Sequence, residues 1–221
     1  MKNVQDIRNI FIEKYKNKEF IQDRTGVQTI EIIGESFIVN EDWIIRKPNY
    51  DYIKKEIEWY NSQSLFVDDI PGITPRIWNE VASNESKINS NYGWCIFSNE
   101  NGNQYRNVKK ELIKNPNSRR AIMIYNRPSM HYEYNKNGMN DFICTTSNQF
   151  FIRNNKLFSH YVIRSNDAVF GFNNDNTWAK YIHEKLAKDL NMEVGDLIWT
   201  AGSIHVYERH FNFIEKLIDE K

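Results

Sequence analysis

Cys95 and Cys144 are the two cysteines of this chain, too few and too far apart to form a disulfide framework or a CxxC metal pair. Cys144 has the richer surroundings. It lies in the extended-looking stretch DFICTTSNQFFIR, with Gln149 downstream, and the next such stretch, KLFSHYVIR, runs into Arg164-Ser165-Asn166-Asp167. If the two stretches pair across Asn154-Asn155, Cys144 and Arg164 each stand about ten residues from the turn and meet at one end of the hairpin. A guanidinium beside a thiol lowers its pKa and makes a thiolate nucleophile; the alternative is a strand cysteine that is inert core. Cys95 is assigned to the core. His131-Tyr132-Glu133 has the first half of a zinc deaminase signature, but the Pro-Cys-x-x-Cys half is missing, so no metal is expected and His131 reads as an ordinary strand-end histidine. There is no GxGxxG, no GxxxxGK[ST], no HExxH and no GxSxG.

The elements that must position these groups follow from periodicity. Val4, Ile7, Phe11 and Tyr15 mark an opening amphipathic helix. After the turn signal Asp23-Arg24-Thr25-Gly26, TIEIIGESFIV reads as a strand pair broken at Gly34. Helices are expected over YDYIKKEIEWYN (50–61), from Pro75 to Ala82, and through Tyr105, Val108 and Leu112 up to Asn115-Pro116. RAIMIYNRP and the two stretches flanking Asn154-Asn155 read as strands, a helix runs from Asn176, and a strand returns after Gly195. The class is α/β or α+β around a large mixed sheet flanked by helices, in one domain over residues 1–221.

Composition sets outer limits. Lys plus Arg and Asp plus Glu are 29 each, so the chain lacks the broad basic excess of a nucleic-acid or membrane-surface protein, and any phosphate it binds must be met locally. A content of 40% hydrophobic and 14% aromatic residues predicts a folded chain. The charged opening MKNVQDIRNIFIEKYKNKEF has no signal-peptide stretch and no run reaches membrane-span length, so the cytoplasm is the expected location.

NYGWCIF, NPNSRRAIMIYNRPSMH, DFICTTSNQFFIR, VIRSNDAVFGFNND and AGSIHVYERHF occur in that order, and with them the chain resembles the thymidylate synthase family, most closely its bacteriophage deoxycytidylate hydroxymethylase branch, over about residues 20 to 212. The resemblance implies a homodimer joined through large twisted sheets, a pyrimidine deoxynucleotide site completed by the partner chain, and methylenetetrahydrofolate as the one-carbon donor. Cys144 matches the nucleophile that adds to pyrimidine C6, and Glu56 the general acid/base, while Glu58 reads as solvated. Arg24, Arg119, Arg120, Arg164 and Ser165 match the phosphate clamp, Arg119 and Arg120 being donated across the dimer. An Arg-Arg pair would otherwise read as a solvated face, but guanidinium forks suit a phosphate dianion. His205 and Tyr207 match the pair that bonds the sugar 3′-hydroxyl, Tyr92 the tyrosine near the nucleophile, Gln149 a substrate contact, and Trp78 and Asp167 the folate side.

Departures from the synthase pattern carry the choice of substrate. Asp175 stands where synthases have the asparagine that pairs with uracil. A carboxyl group can accept from the cytosine amino group and, when protonated, donate to N3; the same residue could instead cap a helix beginning at Asn176. Thr145, Ile163 and Val81 replace a histidine, a glutamine and a folate-side tryptophan, and the sequence ends soon after its last helical stretch, all pointing to a site that admits water. The expected reaction is therefore hydroxymethylation of dCMP. The rivals are synthesis of thymidylate, hydroxymethylation of dUMP, and a catalytically dead nucleotide- or RNA-binding relative, with other nucleotide-synthesis enzymes as possible partners.

Overall fold

The computed structural model describes residues 1–220. In chain order the main elements are β1 (Lys2–Asn3), α1 (Val4–Lys16), β2 (Ile21–Gln22), β3 (Gln28–Ile38), α2 (Tyr50–Ser62), α3 (Arg76–Val81), α4 (Tyr92–Phe97), α5 (Gln104–Lys114), β4 (Ile122–Ile124), α6 (Met130–Glu133), β5 (Thr145–Arg153), β6 (Lys156–Asp167), α7 (Gly171–Leu190), β7 (Glu193–Tyr207) and α8 (Phe211–Asp219). Asparagine starts many of the helices. The side chains of Asn3, Asn49, Asn91 and Asn103 accept the backbone N–H of Asp6, Tyr52, Trp94 and Arg106, satisfying one of the free donors of each first turn.

The strands form one mixed sheet in the order β1-β3-β7-β6-β5-β4, with β2 paired to β3 outside that path. β5 and β6 are an antiparallel hairpin turning at Asn154 and Asn155, both with positive φ (51° and 62°), as a two-residue hairpin loop requires. β6 and β7 run parallel and are joined by α7, a crossover that lays the helix on the sheet. Alternate residues Asn148, Phe150, Ser159, Tyr161, Ile163, Trp199 and Ala201 are buried under the helices. Trp59, Tyr60, Val108, Trp178 and Leu186 fill the core on the α2, α5 and α7 side, and Ile7, Phe11, Phe172 and Ile214 fill it on the α1 and α8 side. The opposite face, with Gln149, Phe151, Phe158, His160, Val162, Ile198 and Thr200, is covered by no helix among the described residues and is only half-buried. Among the described residues no helix is long and apolar enough to cross a membrane.

Several expectations need correction. β3 is a single strand and not a pair broken at Gly34: register against β7 continues unshifted from Ile33 opposite Ser203 to Glu35 opposite Ala201. Gly34 takes φ +68° inside the strand, which a residue without Cβ does at little cost. Cys144 lies one residue before β5 rather than within it, at a bulge between Thr145 and Ser147. His131 is in the short helix α6, not at a strand end.

The largest correction concerns α7, which begins at Gly171 instead of Asn176. Glycine and two asparagines are poor helix formers, but tertiary partners hold this turn: Asn173 donates to the carbonyls of Arg46 and Val169, and Phe172 is fully buried. Asp175 is thus inside a helix and caps nothing.

Candidate active site

The groups singled out by chemistry converge where the carboxyl ends of the parallel strands β6 and β7 meet the start of β5, the edge at which ligands gather in sheets of this kind. The hairpin does what its turn promised. Arg164 donates its backbone N–H to the carbonyl of Cys144 at 2.9 Å, so the two residues face each other across the ladder. The Arg164 guanidinium is held by Phe142 O (2.6 Å) and Ile143 O (3.1 Å), stacks on the Phe142 ring at 4.8 Å, and places Nη2 at 3.6 Å from the Cys144 sulfur.

That guanidinium does not make a ready thiolate, contrary to the expectation from pairing alone. Burial pushes the Cys144 thiol up to about 11, Arg164 pulls the other way, and the carboxyls of Asp175 and Asp141 add to the rise. In the free protein the sulfur is a protected thiol. Cys95 is core, pushed up to about 12 by burial.

Two buried carboxyls complete the cluster. Glu56, on α2, accepts from the hydroxyl of Tyr52 at 2.7 Å and from the indole N–H of Trp78 at 3.3 Å; burial pushes it up to about 7 against those bonds and one from Asn174. Asp175, on the second turn of α7, accepts from the Tyr92 hydroxyl on Oδ1 (3.1 Å) and from the Asn166 amide on Oδ2 (3.2 Å). Burial, and then the nearby Glu56, push it up to about 8, the Tyr92 bond opposing. At neutral pH Asp175 therefore holds its proton, while Glu56 is divided between acid and carboxylate. α4 can deliver Tyr92 because Gly93 abuts α2 so closely that a Cβ there would lie 1.7 Å from the carbonyl of Tyr60. Glu58 is exposed, as read from the helix period.

Further along the same edge, Asp167 stands opposite His205 in the β6–β7 ladder and Ser165 opposite Ser203. The carboxyl of Asp167 caps the backbone N–H groups of Val169 and Phe170 at the entry to α7. His205 is buried, which lowers its pKa, and its Nδ1 lies 3.4 Å from Ser203 Oγ; its ring meets that of Tyr207 edge-on at 4.8 Å. Arg24 is exposed in the Asp23–Gly26 turn, which Asp23 closes by accepting from Thr25 and Val27. Trp78, on α3, packs edge-on against Trp59 at 5.2 Å with its indole N–H turned to Tyr52 and Glu56, leaving an aromatic wall beside the carboxyls. Val81 is half-buried on the same short helix.

Three expected residues are not brought into this cluster. β4 pairs β5 with Ile122 opposite Gln149, so Arg120 falls opposite Phe151, seven residues along β5 from Cys144 (144 to 151), or roughly 23 Å at ~3.3 Å per residue. Arg119 and Arg120 are exposed there beside an open hollow of about 540 Å³, with Glu111 Oε1 3.2 Å from Arg120. Gln149 belongs with them: on the uncovered sheet face, its amide donates to the carbonyl of Arg119 at 2.8 Å.

Sequence reasoning missed Tyr52, Asn166 and Asn174. Tyr52 was recoverable, being four residues before Glu56 on one helix face; Asn174 was hidden by the misplaced helix start. Among the described residues no cluster of three or more His, Cys, Asp or Glu side chains could hold a metal ion.

The sequence model of the family described as thymidylate synthase matches residues 5–221. The deoxycytidylate 5-hydroxymethyltransferase of Enterobacteria phage T4 is 51% identical over 219 residues, 96% of this chain and 89% of that protein. A thymidylate synthase of Francisella tularensis subsp. holarctica is 26% identical over 214 residues, 90% of this chain and 78% of that one. The crystal structure of thymidylate synthase from T4 phage superposes with a TM-score of 0.76 at 23% identity, covering 96% of this chain and 79% of that one, a likeness in fold.

Proposed function

The chain belongs to the thymidylate synthase family, and from that premise we propose that it is a deoxycytidylate 5-hydroxymethyltransferase, converting dCMP, methylenetetrahydrofolate and water to 5-hydroxymethyl-dCMP and tetrahydrofolate. The observation that carries this reading is the state of Asp175: a carboxyl buried, protonated at neutral pH, and bonded on each oxygen by one neutral donor. Such a group keeps an acceptor position on one oxygen and an acid proton on the other. Cytosine offers an amino donor at N4 and an acceptor at N3, the complement of that pair, whereas uracil offers an acceptor at O4 and a donor at N3.

The residues then divide the work. Cys144 adds to C6, breaking the C5–C6 double bond, while the Asp175 proton passes toward N3 so that the ring does not become an anion. The thiol, pushed up to about 11 by burial, must lose its proton to add, and Arg164, 3.6 Å away, is the cation that favours the thiolate. Methylenetetrahydrofolate supplies the one-carbon unit to C5, and the Trp78 wall beside Glu56 fits a flat heteroaromatic donor of that kind. Glu56, at about 7, can take the C5 proton and orient water at the same place. Once tetrahydrofolate has left the transferred carbon as the C5 proton departs, that water adds to the exocyclic carbon, the C5–C6 double bond re-forms with expulsion of the Cys144 sulfur, and the N3 proton returns to Asp175, completing the turnover.

Arg164, Arg24, Ser165 and the partner's Arg119 and Arg120 hold the phosphate, and His205 and Tyr207 hold the sugar, in a homodimer joined through the uncovered sheet face. The half-buried apolar residues Phe151, Phe158, Val162 and Ile198 on that face support such a joint.

The test incubates the protein with dCMP, the folate donor and labelled water, weighs the nucleotide product and follows dihydrofolate by absorbance. A hydroxymethyl product carrying the water label with no dihydrofolate is expected. Stoichiometric dihydrofolate with a methylated nucleotide would leave the family standing and remove the hydroxymethyltransferase.

A further inference from the structure

We infer that Asn166 is a specificity-determining positioning residue, one that sets how the Asp175 carboxyl is presented to the base and so acts on cytosine preference through Asp175. The inference deepens the function proposed above and rests on it.

Asn166 sits near the end of β6, paired in the ladder opposite Ile204, and is 1% exposed. Its Nδ2 donates to Asp175 Oδ2 at 3.2 Å, while Tyr92 donates to Oδ1 from another element at 3.1 Å. A carboxyl held on one oxygen only can rotate about its Cβ–Cγ bond. Held on both oxygens, from a strand and from a separate helix, its plane is fixed, and the one position left on each oxygen points in a set direction. Reading two adjacent atoms of a pyrimidine edge requires that fixed plane, because both contacts must form together.

A second observation concerns the other end of the same amide. Its Oδ1, like those of Asn173 and Asn176, is buried with no hydrogen-bond partner, which leaves it free to accept if the amide turns. Rotating the amide by 180° would bring this oxygen to Asp175 Oδ2, where it would take the acid proton for itself; in its present orientation Nδ2 donates instead and leaves that proton for the base. The orientation of Asn166 therefore bears on whether the acid proton faces the base.

The experiment measures kcat/KM for dCMP and dUMP in the wild type, Asn166→Ala and Asn166→Ser, with thermal melting to show that each is folded; the serine variant keeps a small polar group should alanine fail to fold. Binding of dCMP and dUMP to the same proteins, by calorimetry, gives a second ratio that needs no turnover. The expected result is a fall of about tenfold or more in the dCMP-to-dUMP ratio, the worth of one hydrogen bond to such a carboxyl. Equal losses for both nucleotides, or an unchanged ratio, would overturn the inference while leaving the proposed function intact. A wild type with no preference for dCMP would overturn both.

Discussion

Around Glu56 and Asp175 the protein supplies neutral hydrogen-bond donors and excludes solvent, whereas at the other end of β5 Arg119 and Arg120 stand in solvent with Glu111 as a nearby counter-charge. The contrast follows from what each region must hold. Carboxyls at about 7 and 8 exist only where burial disfavours their ions, so the acid–base groups have to be assembled inside one fold. Cations waiting for a phosphate cannot be stored that way, since an unpaired buried guanidinium costs several kcal/mol. On the proposed function they stay hydrated until a partner subunit brings the ligand to them.

The largest expected effect tests that division directly. Cys144→Ser loses turnover by roughly 10³-fold or more, because a hydroxyl cannot replace the sulfur nucleophile, while dCMP still binds. Arg119→Ala/Arg120→Ala loses phosphate contacts and keeps the thiol. Mixing the two inactive homodimers and allowing exchange should restore activity, since a hybrid contains one site with both intact halves. Tritium release from C5 of dCMP is the measurement. If the mixture stays as inactive as its parents, the arginines do not act across the dimer and the contrast between the regions fails.

A smaller effect sharpens the buried side of the comparison. Asp175→Asn should move preference from dCMP toward dUMP by on the order of 10²-fold in the ratio of kcat/KM, because an amide cannot present an acid proton and a carbonyl acceptor as a neutral carboxyl does. An unchanged ratio would place Asp175 outside base recognition.

The smallest effect is on stability. Asp175 and Glu56 are raised from ordinary values of 3.8 and 4.5 to about 8 and about 7, so between those limits the folded chain holds protons that the unfolded chain has released. Their contribution is fully present below the ordinary carboxylate range and is lost as pH rises through 7 and 8. The Tm of Asp175→Asn minus that of the wild type should thus increase by a few degrees between pH 5 and pH 9 in thermal melts. A difference that is flat, or that shrinks with pH, contradicts a buried neutral Asp175.

The sequence by itself determined the parts whose physics is local. Asn154-Asn155 can take positive φ, and with the chain lengths on either side this sets Cys144 against Arg164 before any tertiary contact is known. Helical spacing set Glu58 on a different side of α2 from Glu56, and Glu58 is exposed where Glu56 is buried. The ordered motifs identified the family, which local patterns alone could not.

Tertiary structure decided the rest, because the deciding interactions come from distant residues. α7 starts at Gly171 because Arg46, 127 residues away in the chain, offers its carbonyl to Asn173, which no propensity encodes. The sulfur is a high-pKa thiol in spite of Arg164, since burial and the two aspartates outweigh one cation. Asp175 acquires its acid proton from the closeness of Glu56 and the loss of water, and its orientation from Tyr92 and Asn166 on two other elements. Spacing along a chain fixes which residues can meet across a turn; the dielectric and the neighbours that set their charge exist only once the core has closed.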